Sequence, residues 1–150
     1  MECSRGQRWQ NWEGNHHCIA DLYNAGSLDD LKAIVHTAAQ ERKTIRVSGG
    51  GRGTPYSASF SVSPVVSNEA GMIATVSRMN KAFVHEDGSG RITAEAGMTI
   101  GELEEFAAAH GLSLESSPVP PFIQVGGAVA LGCHGTGRHC GSISDQIVSL

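Results

Sequence analysis

The chain has 150 residues, a formal net charge of −4 at pH 7 and 40% hydrophobic residues. That length can bury one sizeable core, so one domain or a piece of one is expected. An acidic balance without a long basic run gives nucleic-acid binding no electrostatic footing, and any anionic ligand has to be held by local backbone dipoles. No apolar stretch approaches the roughly 18 residues needed to span a bilayer. The polar start, Met1 to Trp9, lacks the apolar core of a signal peptide. A soluble, cytoplasmic protein is the expectation. Cys3, Cys18, Cys133 and Cys140 show no CxxC spacing, and Cys3 and Cys18 with His16 and His17 are too irregularly spaced for a metal site. Reduced thiols and no bound metal are expected.

In chain order, residues 1–17 read as a polar N-terminal segment with Trp9 and Trp12 as its bulky anchors. Cys18 to Tyr23 alternates as a short strand. Ser27 is an N-cap, and Asp29 and Asp30 follow in the first turn, where the helix dipole favours negative charge. Leu28, Leu31, Ile34, Val35 and Ala38 form one apolar stripe, and Arg42 and Lys43 close the helix at its negative end. Thr44 to Val47 is β-prone and runs into Ser48-Gly-Gly-Gly-Arg-Gly-Thr54. Further strands are predicted at Val65–Val66, Met72–Val76, Ala82–Val84 and Arg91–Ala96, the last two joined as a hairpin. Thr99 and Glu102 form a capping box, Ile100, Leu103, Phe106 and Ala107 give that helix its buried face, and Gly111 is its C′ residue. Leu112 to Leu114 reads as extended, a proline-rich run follows, and Ile147 to Leu150 reads as the middle of a strand.

Nineteen glycines are the compositional outlier, and many fall in two clusters. The first, Ser48 to Thr54, leaves a strand directly, and consecutive glycines let N–H groups converge into an anion-binding nest. No Lys-Ser or Lys-Thr follows, so it is not a P-loop, and no amphipathic helix follows either, so it is not the dinucleotide fingerprint. A surface turn is the competing reading of this loop. The second cluster runs from Ile123 to Gly137. Val125 to Leu131 fits a short helix that starts at Gly126 and Gly127 and offers amides to an anion. His134 either bonds a ligand or caps the segment. Two separate phosphate-capable clusters suit a diphosphate better than a single phosphate.

Arg46 to Gly53, Ile92 to Leu103, Val125 to Gly137 and Gly141 to Asp145 together resemble the vanillyl-alcohol-oxidase/p-cresol-methylhydroxylase flavoprotein family, near its sugar-lactone and alditol oxidases and its flavin-linked cholesterol oxidases. The resemblance implies an α+β fold of the FAD-binding PCMH type: a small αβ subdomain followed by an incomplete second α+β subdomain, together spanning 18–150. It implies FAD as cofactor, with Ser48, Gly49, Gly50, Gly51, Arg52, Gly53 and Thr54 as the pyrophosphate loop. Ser117, Gln124, Gly126, Gly127, Leu131, Gly132, Cys133 and His134 would complete the cofactor shell. Where many relatives carry a flavin-linked histidine this sequence has Arg52, and no cysteine falls within Ser117 to Val125. FAD is therefore expected to be held non-covalently. Arg52 either lends charge near the cofactor or is solvated. The family's catalytic residues lie largely in a later substrate domain, so none is assigned here, and a small-molecule alcohol substrate would need that domain. The expected function is the FAD-binding portion of an oxidoreductase acting on CH–OH groups. A truncated or remnant flavin domain without turnover and a non-flavin phosphate-binding module remain the alternatives. An unpaired strand edge at Ile147 to Leu150 would favour self-association.

Overall fold

A computed structural model describes residues 1–49 and 71–150. The chain divides into two units, Met1–Met79 and Asn80–Leu150. The strand expected at Val65–Val66 lies outside the described residues.

Among the described residues, the first unit is a four-stranded sheet with a helix on one face. Strands β1 (Glu2–Gln10), β2 (His17–Asn24), β3 (Ile45–Val47) and β4 (Gly71–Thr75) lie in the order β1-β2-β4-β3. The β1–β2 pair is antiparallel, and β4 runs parallel to both β2 and β3. Successive residues of β4 feed opposite faces. Met72 and Ala74 join Tyr23, Ala25, Ile34 and Ala38 beneath helix α1 (Leu28–Gln40), whereas Ile73 joins Trp9, Cys18, Ala20 and Leu22 on the other side. Every residue of β4 is buried, and its side chains join buried clusters on both faces of the sheet.

Strand β1 has no counterpart in the sequence reading, and its burial explains why. Seven of its nine residues are exposed and only Trp9 is buried, so it is an edge strand without an apolar alternation to betray it. Arg5 and Gly6 together oppose Asp21, a bulge made possible by the positive φ (59°) of Gly6. The Gly6 amide donates to Asp21 Oδ1 at 3.0 Å, and Lys43 Nζ lies 3.0 Å from Asp21 Oδ2 and 2.7 Å from Glu41 Oε2. Lys43 and the Gly6 amide hold the Asp21 carboxyl below the usual range, and the two carboxylates push Lys43 up to about 12. Trp12, the other expected anchor, is exposed.

Helix α1 starts as expected: Ser27 Oγ accepts from the Asp30 amide at 3.1 Å. The apolar stripe is narrower than expected. Ile34 and Ala38 are buried and Leu31 is partly so, while Leu28 and Val35, on one flank, are exposed. Nor do Arg42 and Lys43 close the helix by charge. The Arg42 amide donates to Ala39 O and the Lys43 amide to Ala38 O, a Schellman ending that places Arg42 at φ 52°. A side chain there carries the steric penalty of left-handed backbone, about 1 kcal/mol. Arg42→Gly is expected to raise stability by about 0.5–1 kcal/mol in urea unfolding. An unchanged or lower midpoint would mean that the arginine side chain repays its strain.

In the second unit, β5 (Ala82–Val84) and β6 (Ile92–Ala94) form the expected antiparallel hairpin. Helix α2 (Ile100–Ala109) carries the full capping box: Thr99 Oγ1 accepts from the Glu102 amide at 3.2 Å, and the Thr99 amide donates to Glu102 Oε2 at 2.9 Å. Ile100, Leu103 and Ala107 are its buried residues, with Phe106 only half-buried. Gly111, at φ 71°, ends it in a Schellman motif. Leu112 to Leu114 belongs to no strand. Helix α3 (Val125–Ala130) and a 3₁₀ turn (Ile143–Gln146) follow, and Ile100, Ala128 and Ile143 form the centre of the core. Ile147 to Leu150, expected as a strand, is not one; Val148 and Leu150 are exposed and pair with nothing in a sheet among the described residues. A β-prone composition makes a strand only where a neighbour is there to bond. Among the described residues, no helix is long and apolar enough to cross a membrane.

Candidate functional site

In the first unit the relevant place is the carboxyl end of the parallel strands, where ligands of open α/β sheets bind. Asn24, Thr75 and Val47 end β2, β4 and β3, and the glycine loop departs there. Ser48 is its anchor. Its amide donates to Ala74 O at 2.9 Å, and its hydroxyl accepts from Trp9 Nε1 at 3.0 Å and donates to Gly49 O at 3.1 Å. The Ser48 side chain is thus spent on holding the loop's first residue, and Gly49 emerges exposed. Gly50, Gly51, Arg52, Gly53 and Thr54 lie outside the described residues.

In the second unit two segments run side by side. The Val125 amide donates to Met98 O at 2.8 Å, the Gly126 amide to Ala96 O at 2.9 Å, and the Ile100 amide to Ile123 O at 2.8 Å. The cap regions of α2 and α3 are thereby held together. Helix α3 begins at Val125, where the expected range starts, but of the two glycine amides expected to face an anion that of Gly126 is occupied by the chain itself.

The glycines of this cluster separate by physical role. A Cβ on Gly126 would meet Ala96 Cβ at 2.9 Å and Ala96 O at 3.1 Å, so this glycine serves close packing. Gly132, at φ 59°, is the C′ residue of α3: its amide donates to Val129 O and the Cys133 amide to Ala128 O, a third Schellman ending. A Cβ on Gly135 would sit 2.5 Å from Ser117 O. Gly127 alone among these four has neither constraint. It is exposed, nothing lies within 4 Å of its would-be Cβ, and its amide has no hydrogen-bond partner among the described residues. Bare backbone with a spare donor suits a ligand rich in acceptor atoms that must come close.

The other expected residues divide between exposure and internal duty. Leu131 is 80% exposed. Ser117 is half-buried, and its hydroxyl donates weakly to Pro118 O at 3.5 Å. Cys133 packs partly against the core and is a free thiol. His134 is exposed, with Nδ1 2.8 Å from Gly135 O and its backbone bridged to Ser142. Gln124 is buried and its Nε2 donates to Gly97 O at 3.1 Å.

Sequence reasoning missed the residues that support these groups. Trp9 holds Ser48 across 39 positions. Ser116 Oγ accepts from the Gly135 amide at 3.2 Å, and Gln146 grips Ser116 O at 2.8 Å and the Glu115 amide at 2.9 Å. These contacts span 19 to 39 residues, and nothing local announces them.

This α+β arrangement matches the PCMH-type FAD-binding fold, and the chain belongs to the FAD binding domain family, whose model matches residues 22–150. L-gulonolactone oxidase of Bos taurus is 26% identical over 147 residues, covering 97% of this chain and 31% of that protein. Mitochondrial L-galactono-1,4-lactone dehydrogenase of Arabidopsis thaliana is 27% identical over 141 residues, covering 93% of this chain and 22% of that protein. Among solved structures, a solvent-stable cholesterol oxidase superposes with a TM-score of 0.77 at 22% identity, over 95% of this chain and 29% of that one. The chain thus spans less than a third of the length of these relatives. FAD is the cofactor the family binds, and the exposed, uncrowded Gly127 backbone fits the approach of its acceptor-rich carbonyl and phosphate groups.

Proposed function

We propose that this chain supplies the FAD-binding portion of a flavin-dependent oxidoreductase acting on CH–OH groups, of sugar-lactone, alcohol or sterol type, with FAD held non-covalently. The family match across residues 22–150 carries the reading. The names of the relatives, two of them lactone oxidoreductases and one a cholesterol oxidase, support the substrate class. Bound FAD would supply the redox chemistry by accepting a hydride. The chain's own residues bind and orient. Ser48 to Thr54 would contact the pyrophosphate, and Ser117, Gly127 and Leu131 to His134 would line the cofactor.

Arg52 supports a non-covalent cofactor, because a guanidinium cannot form the histidyl link to a flavin. Titrating the chain with FAD is expected to quench flavin fluorescence. Denaturing the complex in acid should then release all the flavin and leave the protein at its unmodified mass. A mass increase of one flavin would overturn the non-covalent assignment. Absence of any FAD binding would instead favour the remnant domain, or a phosphate-binding module that nucleotide titration would reveal.

A further inference from the structure

Gln124 occupies the N-cap position of α3, where a side chain ordinarily accepts a hydrogen bond from the second or third helical amide. It makes no such bond to its own helix. Its side chain, only 6% exposed, turns back and donates to the buried carbonyl of Gly97. Three successive carbonyls thereby accept from one short stretch: Ala96 O from the Gly126 amide, Gly97 O from Gln124 Nε2, and Met98 O from the Val125 amide. On the facing segment, Thr99 bridges to Gln124 through the backbone and caps α2 through its side chain.

We infer that Gln124 is a positioning residue of the FAD site: its side chain clamps the Ala96–Thr99 turn to the start of α3 and so fixes where the exposed Gly127 backbone is presented. The inference rests on the proposed FAD-binding role and assigns Gln124 a different part from the direct cofactor contact expected of it. The residue is buried, and its side chain acts on the Gly127 backbone through the turn it holds. Without the amide donor the buried Gly97 carbonyl would be left unsatisfied, a penalty that the segment would relieve by opening.

Two variants of the chain test this. Gln124→Met keeps the volume and removes the donor. Gln124→Glu restores a donor only when its carboxyl is protonated, and burial, together with Glu95 and Glu102 on the facing segment, raises the pH at which that happens. In the apo chain, Q124M is expected to speed hydrogen exchange of the Val125 and Gly126 amides at least about tenfold while leaving the α1 amides unchanged. FAD affinity, by fluorescence titration, should fall about tenfold or more in Q124M at both pH 5 and pH 8. Q124E should bind within about threefold of the parent at pH 5 and about tenfold or more weaker at pH 8, against a flat profile for the parent. Unchanged exchange in Q124M, parental FAD affinity in Q124M, or equal weakness of Q124E at both pH values would each overturn the inference. Failure of the parent itself to bind FAD would overturn the proposed function instead, and the exchange measurement would still judge the clamp.

Discussion

Replacing Trp9 by alanine is expected to destabilise the first unit by about 3–5 kcal/mol, the usual cost of emptying a buried aromatic site. Trp9 is fully buried among Cys18, Ala20, Leu22 and Ile73, on the sheet face opposite α1. Its indole N–H also donates to Ser48 Oγ, so the substitution removes the donor that holds the first residue of the glycine cluster. A single domain is commonly stable by only about 5–15 kcal/mol, so the loss is a large share of the total. Trp9→Phe separates the two contributions. It keeps most of the apolar area and should cost about 1–2 kcal/mol, mainly the lost hydrogen bond, while weakening FAD binding through the displaced loop. Urea unfolding followed by circular dichroism, with flavin titration in parallel, makes the comparison. A W9A midpoint equal to the parent's would show that the contact does not anchor the sheet.

The second large effect is expected at Gly135. Its backbone needs no left-handed conformation, so an alanine there is limited only by space, and a Cβ would fall 2.5 Å from the backbone oxygen of Ser117. Either the peptide after Ser117 or the bond from the Gly135 amide to Ser116 Oγ must move. Overpacking of this kind costs about 1–3 kcal/mol, and the upper end is expected because the obstructing atom is backbone. Gly127→Ala is the contrasting case. It meets no atom within 4 Å and sits inside α3, so the apo chain should gain about 0.5–1 kcal/mol from alanine's helix preference. FAD affinity should nonetheless fall, because the methyl projects into the space a ligand would use. Thermal unfolding of the two apo variants should therefore shift in opposite directions. A G135A chain as stable as its parent would show that the loop yields freely at this point.

Features whose physics is confined to a few neighbouring residues were legible in the sequence. The Ser27 cap, the Thr99–Glu102 capping box, the β5–β6 hairpin and the Gly111 ending all follow from side-chain or backbone bonds between residues close in the chain. Exposed edges were not legible. Strand β1 is polar because nearly all of it faces water, and it forms only because β2 offers it a ladder. Ile147 to Leu150 errs in the opposite sense, with apolar residues that join no ladder among the described residues. In the candidate site the cluster of glycines was visible but its division of labour was not. The Gly132 ending is local, but whether another glycine serves a tight crossing, as Gly126 and Gly135 do, or open backbone, as Gly127 does, depends on partners brought in from elsewhere in the chain.

The strand order of the first unit also bears on how it assembles during synthesis. Strand β2 is complete by Asn24 and β3 by Val47, yet they do not pair with each other: both dock on β4, whose pairing with β2 joins Ala20 to Gly71. A ribosome that has released helix α1 and β3 has therefore released two parallel strands with no sheet between them. The β1–β2 hairpin is local and can close early, but helix α1 lacks the Met72 and Ala74 floor it packs on until the chain has emerged past Thr75. Non-local parallel pairing of this kind is slow, because a long loop must close before any contact rewards it. The nascent chain meanwhile carries the unsatisfied edge of β2 and the apolar side of α1, a surface that chaperones bind and that aggregates when synthesis stalls.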